Sequence, residues 1–256
     1  MKAAVSSPII VEVWGDLACF ARPEMKVERT SYPVMNPSAA RGLLESIYCK
    51  PIEFRWCIER IDVLRPIRYI ALRRNEMKNR ISMASVNRMM KPGAPIQPIY
   101  ADDTKESAGS DQVGRTQRQT MALKDVRYRI HARIRCAPGM ESRLVSLVSQ
   151  ATRRISSGKC FQQPYFGERE FVAYFELYDP AIHRDAPIPE SADLGLMVYD
   201  TFDQNAWYRD DRTVWEDTES PTISLFRARL QEGVLIVPPY DSDEVYKPEG
   251  RPKHLV

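Results

Sequence analysis

Hydrophobic and polar residues alternate over residues 126–135, VRYRIHARIR. Val126, Tyr128, Ile130, Ala132 and Ile134 fall on one face, and Arg127, Arg129, His131, Arg133 and Arg135 on the other. Period two is the signature of a half-buried strand, so one face of a sheet is core and the other basic. Residues 9–14 read as a first strand, with Gly15-Asp16 as the turn leaving it. A helix starts at Asn36-Pro37-Ser38, with Asn36 as cap, Pro37 in the first turn and Leu43, Leu44 and Ile47 along one side; Lys50-Pro51 stops it. Residues 52–64 are rich in β-branched and aromatic side chains and give a second strand, whose alternation slips at Glu59-Arg60 in the manner of a bulge. After the basic strand comes a helix with Leu144, Leu147, Val148, Ala151 and Ile155 on one face and Gly158 as its cap, then a strand over residues 171–178. The order β-α-β-β-α-β predicts an α+β fold of ferredoxin-like type, an arrangement shared by many RNA-binding domains.

Two stretches fall outside that frame. Residues 66–125 form a long basic insertion carrying RRNEMKNR, NRMMKPG and the polar run TKESAGSDQVGRTQRQ, which reads as a flexible arm. Beyond Pro187 the chain turns acidic and aromatic, with strands expected at residues 194–202, 222–230 and 234–237. The expected organisation is a domain over residues 1–186 and a small antiparallel β domain over residues 187–256.

The net charge of +3 conceals an asymmetry. Residues 50–135 hold 19 Lys and Arg against 9 Asp and Glu, net +10; residues 179–256 hold 8 against 16, net −8. A local positive field points to a local polyanion partner. Four guanidiniums spaced two residues apart, roughly 6.6–7 Å along a strand, approximate the step of a nucleic-acid backbone. RNA or duplex DNA is therefore the partner to consider, against an exposed strand decorated with Arg for solubility. The five cysteines form no CxxC pair and read as reduced core residues, with neither a zinc site nor a disulfide framework. No P-loop, GxGxxG or nucleophile elbow is present. No signal peptide and no membrane-length apolar run appears, so a cytoplasmic location without membrane contact is expected.

The stretches VEVWGDLACFARPEMKVERTSYPVMNPSAARGLLESIYCKP, QTMALKDVRYRI and YFGEREFVAYFE resemble the CRISPR-associated Cas-five family, in its subtype-d branch of type I-C systems, over roughly residues 9–178. The resemblance implies an endoribonuclease that cuts CRISPR precursor RNA at the 3′ side of the repeat hairpin without metal or other cofactor. It would then keep the 5′ handle within an interference complex, with the large subunit and the repeating backbone subunits as partners. Such cleavage uses the neighbouring 2′-hydroxyl as nucleophile and leaves a 2′,3′-cyclic phosphate.

Carried over residue by residue, the resemblance places Tyr48 and Lys124 in the catalytic site. The family's His after that Lys is Asp125 here, which leaves the general acid or base open. Asp125 is a poor proton donor at neutral pH unless buried, and is suited instead to orienting Lys124. His131 is the reserve candidate, although it lies about 23 Å along a continuous strand from Lys124. Lys26, Arg127, Arg129, Arg133, Arg135 and Arg169 are the candidate RNA contacts, Arg169 following a glycine turn. Packing alone would account for Tyr48, and a plain phosphate contact for Lys124. Asp125 also keeps open a non-catalytic cap that binds the crRNA handle, and the Arg face a duplex-DNA-binding module.

Overall fold

In the computed structural model, the protein is described over residues 4–25, 27–79, 81–96, 98, 100–102, 114–205 and 223–247. Strand β1 (Ile9–Ala18) lies antiparallel between β5 (Arg115–Cys136) and β6 (Tyr174–Leu177), and β3 (Phe54–Val63) flanks β5 on its other side. The order is thus β6-β1-β5-β3. Between β1 and β3 stand the two-residue strand β2 (Arg29–Thr30) and helix α1 (Pro37–Ile47); α3 (Leu144–Ser156) joins β5 to β6. Val11, Val13, Ile61, Tyr128, Ile130, Ala132 and Ile134 bury one face of these strands, and Ala40, Leu43, Leu44, Leu147, Ala151 and Ile155 supply the helical side of the core.

Local chemistry accounts for the elements. Asn36 caps α1 by accepting the Ala39 N–H at 2.8 Å, and Pro37 occupies the first turn, where its missing donor is harmless. The register of β3 against β5 shifts between Ile58 and Arg60, so the expected bulge is present. Gly158, at φ +64°, ends α3 with its N–H on the Ile155 carbonyl at 3.1 Å. At Gly15 the sequence reading needs correcting: β1 runs through it. A Cβ there would meet the Val172 carbonyl oxygen at 2.6 Å and Phe166 at 2.9 Å, so this glycine admits a close neighbour and does not turn the chain.

The C-terminal strands also depart from expectation. β7 (Ala192–Asp200), β8 (Ser224–Gln231) and β9 (Val234–Ile236) form near the expected places and an unexpected two-residue strand, β10 (Val245–Tyr246), pairs with β8, but β9 pairs with β3 from Arg60↔Ile236 to Asp62↔Val234. Residues 1–70 and 121–256 form one compact unit, and the boundary expected at residue 187 falls inside it. Arg41 of α1 forks onto Asp200 at the end of β7 with contacts of 2.7 and 2.8 Å, a bidentate pair that fastens this layer to the helix.

Residues 71–120 form the second unit. It contains most of β4 (Tyr69–Met77), helix α2 (Met83–Met89) capped by Ser82, and the first residues of β5. Arg118 pairs with Glu76 at 3.0 Å, and the Lys78 N–H reaches the Gly114 carbonyl at 2.9 Å. The expected flexible arm therefore contains regular structure; most of its polar run, residues 104–113, lies outside the described residues.

Candidate functional site

Tyr48 closes the C-terminus of α1 in extended conformation, its N–H on the Leu44 carbonyl and its carbonyl accepting the Trp56 indole N–H at 2.9 Å. Its ring stacks on Phe54 with centroids 5.2 Å apart, and only 6% of the residue is exposed. Three cations lie within electrostatic reach of the phenol: Lys50 from the turn after α1, Arg143 from the 3₁₀ turn before α3, and Arg154 from α3. One carboxylate, Glu53, stands among them. Its Oε1 takes Lys50 Nζ at 2.7 Å, while its Oε2 lies 3.2 Å from Arg143 and, although buried, accepts no hydrogen bond. Arg154 Nε donates to the Ile47 carbonyl at 2.8 Å. Burial is the largest influence on the phenol and raises its pKa; Glu53 acts in the same sense, and the three cations only partly offset it. The Tyr48 phenol is therefore neutral at physiological pH.

Lys124 and Asp125 lie elsewhere. Phe54, against which Tyr48 packs, pairs with Cys136, whereas Lys124 pairs with Leu17. Those positions are roughly 40 Å apart along an extended strand, so the structure does not bring Tyr48 and Lys124 onto one phosphate. Both Lys124 and Asp125 are exposed, and Asp125 adopts a left-handed φ of 53°. Lys26 lies outside the described residues. Arg169 is exposed in a turn whose Gly167, at φ +81°, passes so close to the Cys19 carbonyl that no Cβ fits.

The arginine face of β5 is not a bare cationic row, which corrects the picture drawn from alternation alone. Glu12 of β1, completely buried, takes Arg127 at 2.6 Å and Arg129 at 3.0 Å. Asp62 of β3 receives Arg60 at 2.5 Å and His131 at 3.1 Å; Glu59 receives Arg133 at 2.6 Å. Arg135 donates to the Gln204 carbonyl. Burial by itself would raise the Asp62 carboxyl, but hydrogen bonds from His131 and Arg60 hold it below the usual carboxylate range. The turn after β6 covers the row: Arg129 lies 4.3 Å from the Tyr178 ring centroid and donates to the Asp185 carbonyl, and buried His183 braces the turn against Glu176 at 3.1 Å. Cross-strand register places these acids, and register was not readable from the sequence.

Alongside α1 runs a cleft of about 610 Å³, walled by Phe161, Gln162, Phe202 and Cys49, with Arg41, Gly42 and Glu45 of the helix at its side. Cys49 is exposed, unlike the buried Cys19 and Cys136, and so departs from the expected core role; none of the five cysteines forms a disulfide. Lys50, Glu53, Arg143, Arg154 and Phe161 were all missed by sequence reasoning.

A family model described as a CRISPR-associated Cas5d protein matches residues 9–238. The chain belongs to the Cas5d family. Two relatives named CRISPR pre-crRNA endoribonuclease Cas5d are each 38% identical to it: one from Mannheimia succiniciproducens, aligned over 94% of this chain and 99% of its own length, and one from Thermus thermophilus, over 93% and 95%. A solved structure titled as a CRISPR-associated protein superposes with a TM-score of 0.61 at 16% identity, covering 96% of this chain and all of the other. That likeness bears on the fold alone. No helix among the described residues of this Cas5d protein is long and apolar enough to cross a membrane.

Proposed function

We propose that this Cas5d protein is an endoribonuclease that processes CRISPR precursor RNA at the repeat hairpin and retains the 5′ handle in a type I-C interference complex beside its large and backbone subunits. The observation that carries the reading is the alignment over nearly the whole length of both chains with a relative named for that activity. The strand order β6-β1-β5-β3 with α1 and α3 as crossovers supports a ferredoxin-like arrangement beneath it.

The cleavage site is centred on Tyr48. The 2′-hydroxyl beside the scissile phosphate gives its proton to Glu53 Oε2, and its oxygen forms a bond to phosphorus. Lys50, Arg143 and Arg154 stabilise the added charge of the phosphorane. The bond from phosphorus to the 5′-oxygen breaks as the Tyr48 phenol supplies that oxygen with a proton, leaving a 2′,3′-cyclic phosphate. Lys124 and the exposed Arg169 contact RNA away from this phosphate, Asp125 orients Lys124, and neither Asp125 nor His131 is the general acid or base of the cut. The duplex-DNA alternative rested on the Arg127–Arg135 row, whose ion pairs favour a structural role. The acidic segment containing Asp210, Asp211, Glu216 and Asp217, a candidate subunit-docking surface, lies outside the described residues.

The test is incubation of a labelled repeat hairpin with the protein in EDTA, with duplex DNA as competitor. A single cut leaving a cyclic phosphate is expected from wild type and lost in Tyr48→Phe with RNA affinity retained. Tight binding with no cut would establish a handle-binding cap instead.

A further inference from the structure

We infer that the cleft beside α1 is a subsite for an unpaired nucleobase adjoining the scissile phosphate, with Phe161 as its stacking platform. The inference rests on the RNA-processing reading and deepens it. Phe161 is 81% exposed, more than any other large apolar side chain among the described residues. The ring stands at the wall of the cleft, where burying its face against a stacked base is favourable. It is also held in place. The Phe161 and Gln162 N–H groups both donate to the Ser46 carbonyl, at 2.7 and 3.1 Å, fixing the ring's backbone to the helix end that carries Tyr48 two residues later. A platform held in this way stacks a base with little loss of its own freedom.

Charge separates what each side of that helix end accepts. On the Tyr48 side, three cations share one carboxylate, which suits a phosphate. At the cleft every cation is already engaged and carboxylates outnumber cations: Glu45 holds Arg41 at 2.6 Å, Arg41 also forks onto Asp200, and Glu168 holds Arg29 at 3.2 Å. The cleft is therefore aromatic with no uncompensated positive charge among these pairs, with Phe202 beside Arg41 and open space over Gly42. Those properties fit the face of a base rather than a phosphate, and aromatic stacking accepts any base through its π-face. A strand crossing the α1 terminus would put its phosphate on the cations and the next base on Phe161.

The test uses the full chain and repeat hairpins carrying 2-aminopurine at each unpaired position flanking the cut. Fluorescence at one flanking position is expected to quench on binding to wild type and to Phe161→Trp. Phe161→Ala should lose that quenching and bind roughly 5- to 100-fold more weakly, with an unchanged thermal melt, since the ring is exposed. Tyr48→Phe should keep both affinity and quenching. Equal affinity and quenching in Phe161→Ala overturns the subsite alone; failure of wild type to bind any repeat hairpin overturns the RNA-processing reading together with it.

Discussion

Lys50, Arg143 and Arg154 each draw the Tyr48 phenol toward ionisation, while its burial against Phe54 acts more strongly in the opposite direction. A buried neutral phenol can give a proton but is poorly suited to taking one, so the division of labour with Glu53 follows from environment rather than from residue type. The sequence led to Tyr48 through family resemblance, whereas Arg143 and Arg154 come from a segment almost a hundred residues further on and carry no motif of their own. Lys124 was readable as a residue type but not as a position, because its end of β5 lies far from Tyr48. Two substitutions separate these arrangements. In single-turnover assays at saturating RNA, Arg143→Ala should slow cleavage by roughly 10- to 1000-fold, while Lys124→Ala should leave the rate constant within about twofold of wild type and act on affinity alone.

Alternation and capping made most elements readable: the Glu59-Arg60 slip is the observed bulge, and Asn36 is the observed cap. Glycine was harder, since the same letter marks a turn, a close approach or an unremarkable helical site, and only neighbours in space distinguish them. Gly167 and Gly42 show the two extremes. At Gly167 the backbone is left-handed and a Cβ would collide with the Cys19 carbonyl; at Gly42, inside α1, a Cβ meets nothing within 4 Å. Chemical denaturation should therefore show Gly167→Ala destabilised by at least about 3 kcal/mol. Gly42→Ala should be stabilised by about 0.5–1 kcal/mol through helix propensity and a less flexible unfolded chain.

Across the molecule, the positions of β7–β9 were legible and their attachment was not, because the β9 to β3 pairing joins segments more than 170 residues apart in sequence, with no local signal to announce it. The C-terminal layer carries a buried tyrosine pair, Tyr199 and Tyr240, with ring centroids 5.6 Å apart, while Tyr128 is buried separately on β5 against Phe20 and Phe166. Burial raises the phenols of Tyr128, Tyr199 and Tyr240, the last to about 12. The unfolded chain releases these protons near pH 10 while the folded chain keeps them, so the folded state holds more protons above that point. Stability from these groups is complete below about pH 10 and falls as pH rises through their folded values. Melting temperature should decline steeply from pH 10 to 12, with tyrosinate absorbance appearing together with unfolding. The same scale governs how the molecule responds to its ionic surroundings. Since Glu12, Glu59 and Asp62 already serve as the counterions of the β5 arginines, few mobile ions remain there for RNA to displace. Titrations from 50 to 200 mM salt should give log Kd slopes that Arg133→Ala leaves unaltered and Arg143→Ala flattens by about one. This protein's affinity for RNA thus takes its salt sensitivity from the cations around Tyr48 and from exposed side chains such as Lys124 and Arg169, and the ion-paired arginines of β5 are silent to the solvent ions.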